Sequence, residues 1–173
     1  IFTETYSMMQ RDLRGIIAKL NAVKPIPEVI YLNGYGPAFV AAVKQLKEMG
    51  VTGQLMADVA LGLPENLELA GEAAEGAYFV DANLTSDFVA KFTRRYGKEP
   101  SSDAAYAYDV IKILYKIVKE MPDYTADYIR KGLQELKDFP GATGKITMRT
   151  NGDAELQFVI KQVRQGQPVP VER

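Results

Sequence analysis

A chain of 173 residues with 47% apolar content is long enough to bury a core of its own. Its formal charge of −1 supplies no field that would draw in nucleic acid or an anionic membrane surface. Cysteine and histidine are both absent, which removes disulfides, thiolate nucleophiles, zinc-thiolate sites and the commonest general base, so no enzyme, metal or cofactor is expected.

The first pattern in chain order is Leu13, Ile16, Ile17 and Leu20 at helical spacing, which predicts an amphipathic helix over 10–23, stopped near Pro25. A buried strand is expected over 28–33. Pro37 suits the first turn of a second helix that presents Phe39, Val40, Val43 and Leu46 on one face, with Gly50 placed for a left-handed cap. A second strand over 54–58, a short helix over 65–70 and a third strand over 76–80 complete a helix-strand rhythm that implies parallel strands joined by crossover helices. The composition then changes to three consecutive helical patterns, 86–96, 102–119 and 125–137. The middle one is apolar almost all round and expects neighbours on several sides. Six of its large side chains left in water would forgo ~1.5 to 3 kcal/mol each, so self-association into a homo-oligomer is one expected form of cover.

The end of the chain turns to β structure. Phe139-Pro-Gly-Ala-Thr-Gly-Lys-Ile-Thr-Met reads as a glycine-forced turn and a strand over 145–148, and Asn151-Gly152 signals a two-residue hairpin. Strands over 155–164 and 168–171 follow, separated by Gln165-Gly166. No apolar run approaches the ~20 residues that span a bilayer. The chain opens at Ile1 without a leader pattern, as a processed or excised piece would.

Several motifs, weak singly, become specific in this order and spacing. They are Asp12-Leu-Arg-Gly-Ile-Ile-Ala-Lys-Leu, Ile30-Tyr-Leu-Asn-Gly-Tyr-Gly, Leu46-Lys-Glu-Met-Gly and Gly71-Glu-Ala-Ala-Glu-Gly-Ala-Tyr-Phe, then Phe92-Thr-Arg-Arg-Tyr-Gly-Lys-Glu-Pro, Ala105-Tyr-Ala-Tyr-Asp-Val and the closing Gly-Ala-Thr-Gly and Asn-Gly-Asp turns. Together the chain resembles the C-terminal half of a type I periplasmic solute-binding protein of the leucine/isoleucine/valine class. The resemblance implies a partial α/β fold with a parallel sheet, crossover helices, a three-helix segment and a C-terminal β ribbon. It divides the chain into a second-lobe α/β segment (1–82), a helical segment returning to the first lobe (83–148) and a ribbon of the second lobe (149–173). It further implies a periplasmic or extracellular protein that binds an amino acid or related carboxylate between two lobes and serves an ABC permease. The same fold also serves as the ligand-sensing domain of receptors and regulators, and a following transmembrane helix would favour that role.

In open α/β sheets ligands bind beyond the carboxyl ends of the strands, which directs attention to the loops after the first two. Gly34 and Tyr35 follow the first strand, where Tyr35 either projects an amphipathic ring to a ligand or packs on a neighbouring helix. Asp58 follows the second, where its carboxylate either meets a ligand ammonium or caps a helix or turn. Asp103 and Tyr106 open the apolar helix. Ser102 or Asp103 as a plain N-cap, and Tyr106 as core, compete with a ligand role there. Lys91, Arg94, Arg95 and Lys98 read as a solvated helix C-terminus, and Glu72 and Glu75 as surface charge.

Overall fold

The computed structural model describes residues 1–120 and 125–172. The chain forms two compact units: Ile1–Asp81 together with the chain from Ile160 on, and Ala82–Val159. The sequence sets the C-terminal division at 149, whereas here it falls inside a strand at 159/160.

In the first unit the elements are α1 (Arg14–Asn21), β1 (Val29–Leu32), α2 (Gly36–Glu48), β2 (Gln54–Ala57), α3 (Pro64–Ala70) and β3 (Tyr78–Ala82). β1, β2 and β3 pair in parallel, with Leu32 opposite Ala57 and Met56 opposite Tyr78. α2 ends as its sequence predicts. Gly50 takes φ +69, its N–H bonds to Lys47 O at 3.1 Å, and Val51 N–H bonds to Leu46 O at 3.1 Å, closing a Schellman motif. Leu32, Ala57, Phe79 and Val163 join Leu13, Ile17, Phe39, Val43 and Leu61 in one buried cluster. Strand side chains alternate between faces. The alternate set here, Val29, Tyr31, Val80 and Ile160, is exposed, with Tyr31 63% accessible. The sheet is therefore covered on one face by this chain, although parallel sheets are usually covered on both.

The second unit contains α4 (Ser86–Tyr96), α5 (Ser102–Lys119) and α6 (Ala126–Gln134), then β4 (Phe139–Gly141), β5 (Gly144–Met148) and β6 (Ala154–Glu155). Thr85 and Ser101 cap α4 and α5 by accepting from Phe88 N–H and Ala104 N–H, each at 3.4 Å. The N-cap of α5 is thus Ser101, not Ser102 or Asp103. Two small apolar clusters form, Ile113, Ile117, Leu136, Phe139 and Ile146 in one, and Phe88, Ala105 and Ala142 in the other. α5 buries one side only. Val110, Ile111 and Tyr115 on its other side are exposed, Ile111 by 66%.

The last two strands are β7 (Phe158–Arg164) and β8 (Gln167–Pro170), an antiparallel pair that completes the sheet order β1-β2-β3-β7-β8. The sequence reads 155–164 as one strand. The chain instead divides near Leu156-Gln157, and β6 pairs with β5 in a separate sheet. The hairpin classes also differ from expectation. Gly152 N–H bonds to Arg149 O at 3.0 Å and Gly152 alone takes φ +93, which makes a three-residue connection with a glycine bulge at 150–152. The two-residue hairpin with both φ positive is Gln165-Gly166, at +52 and +73. Glu75 explains its placement, since its two carboxylate oxygens accept from Gln165 N–H at 2.9 Å and Gly166 N–H at 3.1 Å.

The glycine-rich run that opens β5 is organised by an acid buried in α5. Asp109, 3% exposed, accepts from Ala142 N–H at 2.5 Å, Thr143 N–H at 3.0 Å and Thr143 Oγ1 at 2.8 Å. A Cβ on Gly141 would stand 2.7 Å from both Asp109 Oδ2 and Ile146 Cδ1, which together exclude a side chain there.

Candidate functional site

Because β1 and β2 run parallel in register, the residues that follow them, Asn33-Gly34-Tyr35 and Asp58, emerge on one edge of the sheet. Tyr35 is the N-cap residue of α2 with extended backbone, φ −138° and ψ 166°, and its side chain caps nothing. It is 52% exposed. Gly36 opens the helix directly behind it, with Pro37 in its first turn. Asp58 precedes a 3-10 turn, Val59–Gly62, and accepts from Ala60 N–H through Oδ1 at 2.9 Å. Its Oδ2 accepts from Gly34 N–H at 3.1 Å. The capping alternative is thus met, and the same carboxylate also holds the loop after β1.

A carboxylate offers about four acceptor positions, and these two bonds leave the rest of Asp58's capacity open. Among the described residues no lysine or arginine forms an ion pair with it. The edge therefore carries a half-buried negative charge whose neighbours are the Gly34 and Ala60 N–H groups and, through its field, Tyr6. That combination favours a cation or ammonium group.

Tyr6 is the neighbour that sequence reading misses. Its hydroxyl donates to Asn33 O at 3.0 Å. Burial, and then the negative charge of Asp58, push the Tyr6 phenol above its ordinary value, so it remains a donor through the neutral range. The signal for it in the sequence was indirect. Gly34 does not take a positive φ; Gly36 does, at +70. Gly34 is glycine because a Cβ there would fall on the Tyr6 hydroxyl.

The remaining candidates lie in the second unit. Asp103 is exposed in the first turn of α5, and Tyr106, one turn on, is half-buried. The structure brings Gly34, Tyr35 and Asp58 together and keeps Asp103 and Tyr106 on a separate element. Two surface hollows lie elsewhere, one of about 430 Å³ over Val51, Gly53 and Gly76 and one of about 390 Å³ between α5 and α6. Among the described residues there is no group of three or more side chains suited to a metal ion, and no helix long and apolar enough to cross a membrane.

An α/β sheet with helices in this order is the fold of the type I periplasmic binding proteins. The sequence matches the family described as periplasmic binding protein over residues 2–168, and the chain belongs to that family. Its members are solute-binding proteins and not enzymes. Among solved structures it is similar to the leucine-binding protein LivK of Thermotoga maritima, with 26% identity and a TM-score of 0.86 over 95% of this chain and 49% of that one. The isoleucine complex of LivJ from Streptococcus pneumoniae matches with 21% identity and a TM-score of 0.80, covering 96% of this chain and 50% of that one. A benzoate-bound solute-binding protein of Rhodopseudomonas palustris matches with 17% identity and a TM-score of 0.77, covering 96% and 48%. The chain thus spans about half the length of the solved proteins it matches. No curated protein matches it.

Proposed function

We propose that this chain is part of the extracytoplasmic solute-binding component of an ABC importer and that it takes an amino acid or related carboxylate. In this reading residues 1–81 with the chain from 160 on belong to one lobe and 82–159 to the other. Asp58 receives the ligand ammonium and Tyr35 lays its ring against the ligand, while Asp103 and Tyr106 are proposed ligand contacts on α5. The observation that carries the reading is the likeness to a leucine-binding protein over 95% of the chain at 26% identity. The Asp58 carboxylate, with no ion-pair partner and Tyr6 within its field, supports it chemically.

The test is calorimetric titration with L-leucine, L-isoleucine and benzoate. The protein that carries this chain together with the other half of the fold is expected to bind leucine saturably. Residues 1–173 alone are expected to bind none of the three tighter than about millimolar, since roughly half the anchoring groups lie outside them. Submillimolar leucine binding by residues 1–173 alone would overturn the division of the site, and failure of all three ligands on the longer protein would overturn the amino acid reading.

The bare side of α5 leads to an expectation about association. Val110, Ile111 and Tyr115 in water forgo ~1.5 to 3 kcal/mol each, and a symmetric pair of copies would bury both such faces at once. Light scattering on residues 1–173 is expected to report a dimer that Ile111→Glu with Tyr115→Glu returns to monomer. A monomer at high micromolar concentration would contradict this.

A further inference from the structure

The peptide joining Asn33 to Gly34 is held at both ends. Its carbonyl accepts from the Tyr6 hydroxyl at 3.0 Å, and its N–H donates to Asp58 Oδ2 at 3.1 Å. Turning that peptide about its flanking bonds swings carbonyl and N–H together, so both hydrogen bonds must break at once. The segment that delivers Tyr6 contains no helix or strand, yet it is anchored by built contacts. The buried Gln45 of α2 accepts from Leu13 N–H at 2.7 Å and donates to Arg11 O at 2.7 Å. Glu4 pairs with Lys19 of α1 at 2.7 Å, and the Tyr6 ring packs against the core cluster of this unit.

We propose that Tyr6 is a positioning residue of this site: with Asp58 it fixes the orientation of the Asn33–Gly34 peptide, and so the Tyr35 aromatic that the next residue presents to ligand. The inference rests on the proposed ligand role of Tyr35. Gly34 is its sequence counterpart, because a methyl there would evict the Tyr6 hydroxyl from its bond. A loop already held in its bound form loses less freedom when ligand arrives. Removing the Tyr6 end of the clamp therefore weakens affinity without deleting any ligand contact.

The experiment compares wild type, Tyr6→Phe, Gly34→Ala and the double variant. Tyr6→Phe keeps the ring and its packing. Amide exchange of residues 33–36, corrected for intrinsic rates, is read on residues 1–173, and leucine affinity is read on the longer protein. Loss of one ordinary hydrogen bond corresponds to about a three- to tenfold effect. Protection at position 34 is expected to fall by that factor in each single variant and by no more in the double, since both substitutions break the same clamp. Leucine affinity is expected to fall in parallel while the urea midpoint shifts by no more than the loss of that one hydrogen bond. Unchanged protection in Tyr6→Phe, or additive losses in the double variant, would overturn the clamp. Lost protection with unchanged leucine affinity would overturn the positioning role. Should wild type bind no leucine, the functional reading fails separately and the exchange data still decide the clamp.

Discussion

Asp109→Ala is expected to destabilise the protein by about 3 to 5 kcal/mol. The side chain is buried and accepts three hydrogen bonds from Ala142 and Thr143. Bonds to a charged acceptor contribute about 1.5 to 3 kcal/mol each, and an orphaned buried donor costs about 1 to 3 kcal/mol. The losses do not add in full because the turn relaxes. The effect is nonetheless a large fraction of the ~5 to 15 kcal/mol that holds a typical domain together. Urea unfolding measures it. Asp103→Ala, an exposed acid on the same helix, is the control and is expected to change stability by less than about 1 kcal/mol. Equal effects at the two positions would show that Asp109 does not organise the turn.

Lys161→Met is the second large effect. Lys161 Nζ lies 2.7 Å from Asp81 Oδ2, with the two side chains 19% and 7% exposed. Removing one partner of a buried pair strips the other charge of its salt bridge, at a cost of about 3 to 5 kcal/mol. The partial exposure of Lys161 places this pair at the lower end. Asp81→Asn combined with Lys161→Met is expected to be more stable than Lys161→Met alone, because the carboxylate that has lost its ammonium is then neutral. Denaturant midpoints that rank the double variant below the single one would reverse the argument.

Elements whose signals are local were legible in the sequence. α4 and α5 have the expected bounds, with Thr85 capping the start of α4 and Gly97, at φ +70, ending it, although the α5 cap is Ser101, one residue before the position read from sequence. The parallel strands were legible as apolar runs between helices, with boundaries displaced by one or two residues. Features set by partners far along the chain were not. β4 contains Phe139-Pro-Gly, a composition that argues against a strand, and forms because β5 turns back on it. β6 and β7 are contiguous in pattern and separate only because they pair in different sheets. Glu75 looks like any surface acid until the hairpin 90 residues later is in place. The candidate site divides in the same way. Asp58, Gly34 and Tyr35 were found because strand ends direct attention to them. Tyr6 sits in a segment with no periodicity, so only its contact with Asn33 reveals it.

The most direct measurement is leucine binding to Asp58→Asn, read by calorimetry on the protein that carries both halves of the fold. Asparagine keeps the shape and one acceptor for the neighbouring N–H groups but removes the charge. A charge-assisted pair that becomes buried on binding is worth ~2 kcal/mol or more, so affinity is predicted to fall about thirtyfold or further, beyond the loss of stability from the one N–H left without an acceptor. Leucine affinity equal to wild type would contradict the account by showing that the carboxylate on the β1–β2 edge does not hold the ligand.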